Sequence, residues 1–217
     1  MDEPEDRDAG AIGNAAFVLA LRERGVRDTA ILRAMERVPR ERFAPARFRE
    51  HARRDIALPL PCGQTMTAPT QIAAMLGLLD VAPGLRVLEI GTGSGYVTGL
   101  LAELAGSRVR SLERSATLAR AAGTALASGA APVEIADGLD AAVIEGETYE
   151  RILVNGVVPD LPRHLGEALA PGGRLVGALS VGTTRLVTIV RAPDGRLSHE
   201  VGRPVRLTPL MPGRAYR

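Results

Sequence analysis

The stretch Val87-Leu88-Glu89-Ile90-Gly91-Thr92-Gly93-Ser94-Gly95-Tyr96 constrains this chain more than any other. Four residues of buried-strand character enter a turn with glycine at every second position, and a helix-type segment, Val97 to Ala105, follows at once. Glycine lets the backbone turn sharply and approach a ligand with no Cβ in the way. The helix start beyond it presents unpaired N–H groups and a positive dipole end. A ligand with an anionic or hydroxyl-rich end is expected at this turn.

From residue 84 onward the pattern alternates. Strands are expected at 86–90, 108–112, 132–136, 150–154 and 174–179, and helices at 95–105, 115–128 and 160–169, the last ended by Pro171-Gly172-Gly173. Segments 184–191 and 197–207 flank Pro193-Asp194-Gly195-Arg196, a hairpin signal. Strand–helix alternation predicts an α/β fold: a doubly wound, mostly parallel Rossmann-like sheet with ligands at the carboxyl ends of its strands. An N-terminal helical cap and a C-terminal β-hairpin complete it. Three divisions are expected: a frayed acidic start (1–13), a helical cap with a loop (14–83), and the ligand-binding core (84–217).

Composition narrows the function classes. Among 217 residues, 46% are apolar and 24% charged, which suits a soluble chain with a sizeable core. No apolar run approaches the roughly 20 residues that span a bilayer. The first ten residues carry five acids and one arginine, opposite to a signal peptide, so a cytoplasmic chain is expected. All 27 basic residues are arginine and the net charge is only +2. A single cysteine, Cys62, excludes an internal disulfide, and His51, His164 and His199 lack metal-ligand spacing. No metal is expected, and a monomer is the default oligomeric state.

The cap reads as two helices. Asn14 is placed to cap the first, stopped by Gly25, and Asp28 the second, which Pro39 ends. Between Arg37 and Asp55 stand seven arginines and three acids, read as a solvated helical face with local ion pairs or as a patch for an acidic partner. The stretch from Ile56 to Pro69, with prolines at 59, 61 and 69 and Gly63, admits neither a long helix nor a central strand and is expected to hold a fixed shape over a site. Thr67 sits where it could cap a helix carrying the stripe Ile72, Met75, Leu76 and Leu79. Cys62, beside this loop, is expected to be a small buried thiol.

A dinucleotide site requires Gly-x-Gly-x-x-Gly, yet Tyr96 occupies the third glycine position counted from Gly91. The observed Glu89-x-Gly91-x-Gly93-x-Gly95 resembles the first motif of class I S-adenosyl-L-methionine-dependent methyltransferases. Glu113 closes the second strand, where a paired acceptor suits ribose hydroxyls, and Asp137-Gly138 closes the third, where such enzymes place an acid near adenine.

Gly63-Gln64-Thr65-Met66-Thr67-Ala68-Pro69 resembles the Gly-Gln-Thr-Ile-Ser-x-Pro signature of the protein-L-isoaspartate O-methyltransferase family. Val38-Pro39-Arg40-Glu41-Arg42-Phe43, the turn Gly91 to Tyr96, Leu169 to Val176 and Val205 to Leu210 are similar to further family segments, so the resemblance covers residues 28–211. It implies methyl transfer from S-adenosyl-L-methionine to the α-carboxylate of isoaspartyl residues in damaged proteins; the ester then closes to a succinimide that reopens partly to aspartate. It implies Thr67 as the catalytic residue and Gln64, Thr65, Glu89, Gly91, Thr92, Gly93, Ser94, Gly95, Glu113, Asp137 and Gly138 as cofactor-binding. This chain departs from the signature in carrying Thr67 for the family serine and Thr70 where histidine is common. Threonine keeps the hydroxyl but adds a β-methyl, so retained activity with altered acceptor choice is expected.

Two rivals stand beside this reading: a carboxyl methyltransferase with a different peptide or small-molecule acceptor, and a cofactor-binding interaction protein without catalysis. Nucleic acid is not expected as a partner: Val154-Asn155-Gly156-Val157 follows the fourth strand instead of Asn/Asp-Pro-Pro-Tyr/Phe, and only 3% of residues are aromatic.

Overall fold

All four side chains of β3 (Val87–Ile90) are buried, as a parallel strand covered on both faces requires. A computed structural model of the chain describes residues 4–106, 108–126, 131–213 and 215. β3 pairs in parallel with β4 (Val109–Glu113) on one side and β6 (Tyr149–Val158) on the other. β5 (Val133–Ile135) lies outside β4, and β7 (Leu169–Val181) outside β6. β8 (Thr183–Arg191) and β9 (Leu197–Pro204) extend the sheet antiparallel, giving the order β5-β4-β3-β6-β7-β8-β9. The chain proceeds outward from β3 through β5, then returns to β6, so the topological switch point lies between β3 and β6. Open α/β sheets bind ligands there.

The two faces carry separate cores. Val87 joins the cluster formed with α2 (Thr29–Arg37), α3 (Pro69–Leu79) and α4 (Tyr96–Ala105), whereas Leu88 and Ile90 join Ile152, Val154 and Leu165 opposite. Period-two alternation therefore puts Glu89 on the helix-covered face beside α4. α5 (Ala116–Ala125) is capped by Ser115, whose hydroxyl accepts from the Leu118 N–H at 3.4 Å. Asp28 caps α2 as its sequence position implies, accepting from the Ala30 and Ile31 N–H groups at 2.9 and 3.0 Å. The expected hairpin joins β8 and β9: the Ala192 N–H bonds the Arg196 carbonyl at 2.8 Å, and Gly195 takes the positive φ the turn needs.

Three expectations are corrected. The frayed start is helical from Pro4, since α1 runs Pro4–Glu23, and residues 1–3 lie outside the described residues. A proline in the first turn with acids beside it suits a helix start, and Asn14 then lies inside the helix. Its side chain bridges instead, donating to the Glu36 carbonyl at 3.3 Å and accepting from Arg53 Nε at 3.2 Å. The helix expected at 160–169 contracts to α6 (Arg163–Glu167), and Pro171-Gly172-Gly173 lies within β7. A register irregularity between Tyr149 and Arg151 absorbs these residues. Finally, α3 is not capped by Thr67, because Ala68 occupies the cap position with no side-chain bond.

Candidate active site

The glycine turn uses its three glycines for different purposes. Gly91 has φ 94°, and a Cβ there would stand 3.1 Å from Leu210 Cδ2 and 3.2 Å from the Asn155 carbonyl oxygen. Gly93 donates its N–H to Glu113 Oε2 at 2.9 Å, while the Ser115 N–H reaches Glu113 Oε1 at 2.8 Å. The carboxylate at the end of β4 is thereby fixed facing the turn. Gly95, φ 84°, starts α4, and a Cβ on it would lie 2.9 Å from Ala122 Cβ on α5. Its role is close helix packing. Thr92 is buried with its hydroxyl 2.6 Å from Ser111 Oγ, and Ser94 Oγ accepts from the Tyr96 N–H at 3.3 Å.

Glu89 lies beneath this turn with 0% exposure. It accepts from Thr98 Oγ1 at 2.5 Å, Ser111 Oγ at 2.7 Å and Asn155 Nδ2 at 3.2 Å. Burial pushes its carboxyl up to about 7, against the opposing pull of those three hydrogen bonds. Asn155 Nδ2 also donates to the Gly91 carbonyl at 3.1 Å, so Glu89 braces the turn through Asn155.

The proline-rich loop folds over the same opening. β1 (Leu58–Pro59) and β2 (Thr65–Met66) form a two-stranded ribbon, closed where the Leu60 N–H bonds the Gln64 carbonyl at 2.8 Å. Cys62 sits at its tip with φ 59° and is exposed, not buried as expected; the tight turn leaves no core for the thiol, whose Sγ lies 3.5 Å from Ser115 Oγ. Thr65 and Thr208 hydroxyls are 2.6 Å apart, pinning the ribbon to the C-terminal segment. Thr67 is half-buried; its carbonyl accepts from Arg40 at 2.9 Å, and among the described residues its hydroxyl has no protein partner. Asp55 supplies the cap that Thr67 does not, accepting from the Thr70 N–H at 2.9 Å and the Thr70 hydroxyl at 3.0 and 2.9 Å.

Asp137 completes the rim at the end of β5, where it accepts from the N–H groups of Leu139 and Gly213. Gly138 is required by contact, since a Cβ would meet Ile90 Cγ2 at 2.7 Å. One cleft of about 1010 Å³ of empty space, including its open mouth, brings together Gln64, Thr65, Thr67, Gly91, Thr92, Gly93, Ser94, Glu113, Asp137 and Gly138. Glu89 and Gly95 are not on its wall: the first lies under the turn, and the second is turned toward α5. Sequence reasoning missed four contributors. Asn155, at the switch point, was legible as a polar residue ending a strand; Ser115 was legible as the cap after Glu113. Arg40 and the wall formed by Thr208, Pro209, Leu210 and Met211 lie in or beside segments that resemble the family, but no local pattern placed them at the cleft.

The chain that builds this cleft has relatives among known proteins. The family model for protein-L-isoaspartate(D-aspartate) O-methyltransferase matches residues 13–215. Protein-L-isoaspartate O-methyltransferase 2 of Rhodopseudomonas palustris (strain HaA2) is 43% identical over 201 residues, 91% of this chain and 92% of its own. The protein-L-isoaspartate O-methyltransferase of Parvibaculum lavamentivorans is 37% identical over 220 residues, 98% of each chain. A Plasmodium falciparum structure described as a protein-L-isoaspartate O-methyltransferase in complex with S-adenosyl-L-homocysteine superposes with a TM-score of 0.80 at 22% identity, covering 90% of this chain and 97% of its own. At that identity the superposition shows the shared fold. With a family match over residues 13–215 and relatives 43% and 37% identical, the chain belongs to the protein-L-isoaspartate(D-aspartate) O-methyltransferase family.

Proposed function

We propose that this chain methylates isoaspartyl carboxylates with the donor lying across the ends of β3, β4 and β5 and the acceptor entering beneath the loop of Thr67. The observation that carries this reading is Thr67: a hydroxyl unpartnered among the described residues, on the same cleft wall as the glycine turn and Glu113. The cleft fits S-adenosyl-L-methionine. Gly91 holds a positive φ on the cleft wall and presents backbone without a side chain, and Glu113 spends one lone pair of each oxygen on the backbone, leaving others for ribose hydroxyls. Asp137 stands at the adjacent strand end to accept from an amino group, with Gln64, Thr65, Thr92, Ser94 and Gly138 around them.

When bound, S-adenosyl-L-methionine supplies an electrophilic sulfonium methyl. The acceptor carboxylate is anionic at neutral pH, so no side chain has to remove a proton. The residues align and enclose: Thr67 Oγ1 donates to the acceptor carboxylate, Asp55 fixes the start of α3 behind it, and Leu210 with its neighbours shields the cleft from water. A single cysteine among 217 residues supports work in a reducing, cytoplasmic setting. No helix among the described residues is long and apolar enough to cross a membrane.

Methyl-ester formation on an isoaspartyl peptide, beside its aspartyl control, tests the reading with wild type, Thr67→Ser and Thr67→Val. The serine variant should stay within about threefold of wild type, and valine should lose roughly ten- to a hundredfold, the range for a hydrogen bond to a charged group. Equal activity of Thr67→Val and wild type would remove Thr67 from the reaction. Equal rates on the two peptides would remove isoaspartate as the specific acceptor.

A further inference from the structure

Arg40 is 1% exposed and forms no salt bridge among the described residues, although the Asp55 carboxylate is near enough to favour its charge. A buried cation outside a direct ion pair is costly and must be compensated by hydrogen bonds. Four backbone carbonyls serve the two Nη atoms, while Nε has no partner among the described residues: Nη1 donates to Ala52 at 2.6 Å, and Nη2 to Thr67 at 2.9 Å, Ile56 at 3.2 Å and Met66 at 3.5 Å. These acceptors come from both ends of the segment that carries the acceptor loop. On its other side the guanidinium carbon lies 5.9 Å from the ring centroid of Tyr96, the first residue of α4 after the glycine turn. Burial lowers the Arg40 guanidinium to about 10, which leaves it charged at neutral pH. One side chain therefore touches the acceptor loop and the helix of the donor turn together.

We propose that Arg40 is the positioning residue of the acceptor site: held against Tyr96, it grips the Thr67 carbonyl from inside and sets where the Thr67 hydroxyl stands relative to the donor turn. This rests on the reading of Thr67 as the residue that touches the acceptor. A residue that served the core alone would lose stability, cofactor affinity and turnover together when altered. A positioning residue loses turnover through Thr67.

Arg40→Lys keeps the charge, but a compact ammonium cannot reproduce the planar fork that reaches the Ala52 and Thr67 carbonyls together. Arg40→Gln, uncharged with one amide donor group, is the second variant. For a folded Arg40→Lys chain, kcat on an isoaspartyl peptide should fall about tenfold or more while S-adenosyl-L-homocysteine affinity by calorimetry stays within about threefold. Combined with Thr67→Val, Arg40→Lys should add less than about twofold to the loss from Thr67→Val alone, since contacting residues that act as one unit are not additive. Additive losses would overturn the proposal, as would cofactor affinity falling in step with kcat, or failure of both Arg40 variants to fold by circular dichroism. Full activity of Thr67→Val alone is a separate outcome: it removes the reading of Thr67 and the proposal with it.

Discussion

Glu89 lies under the glycine turn with its whole side chain out of water, held by three neutral donors and, among the described residues, by no cation. Its carboxyl titrates at about 7 in the folded chain against an ordinary value of 4.5. Between those pH values the folded protein holds a proton that the unfolded chain has released, so this group's contribution to stability falls as pH rises from 4.5 toward 7 and levels off above. The full excursion is on the order of 3 kcal/mol. Thermal melts from pH 5 to 8 should show wild type losing several degrees relative to Glu89→Gln, which does not titrate. Gly95 makes a second residue-scale case. Gly95→Ala meets both the left-handed penalty and the 2.9 Å approach to Ala122 Cβ. Urea unfolding should register a loss of about 2 kcal/mol or more, with cofactor affinity spared in whatever fraction remains folded, because Gly95 is off the cleft wall. The sequence marked Glu89 and Gly95 as cofactor-binding, and the structure sets both off the cleft wall: a motif shows which residue types stand at a turn, not which way each one faces.

At the scale of elements, α3 owes its start to Asp55 rather than to any residue beside it. Asp55→Ala should cost about 1 kcal/mol in chemical denaturation, the usual worth of a helix cap. Its separation of 15 residues from Thr70 explains why no capping pattern announced it. β7 shows the opposite failure. Pro171-Gly172-Gly173 has every local mark of a stop, yet pairing with β6 continues across it because the irregular register gives the extra residues room. Strands β3, β4 and β5 were legible to within a residue or so, since buried parallel strands read as short apolar runs between turn signals. The arginine-rich stretch was legible only in aggregate. Several of its members are exposed, as a solvated face should be, but Arg40 is in the core.

For the whole molecule, the segment after β9 returns over the sheet and finishes the cleft. Pro209 bridges to Val157, Ala215 to Ser115, and Leu210 packs where a Cβ on Gly91 or Gly156 would otherwise stand. A chain ending at Leu207 should keep its far-ultraviolet dichroism and lose about tenfold or more in S-adenosyl-L-homocysteine affinity by calorimetry, because its walls at 208–211 are gone. Sequence alone determined the alternation of strands and helices, the glycine turn, and the carboxylates at successive strand ends. Each of these follows from contacts within a few residues and from the fact that parallel strands present their carboxyl ends on one edge. Only the tertiary structure decided which arginine enters the core, what caps α3, and how the cleft closes. Those choices join groups 15 to 143 residues apart, such as Asp55 with Thr70 and Thr65 with Thr208. No local period or turn signal encodes such pairs; they exist once packing has brought the segments together.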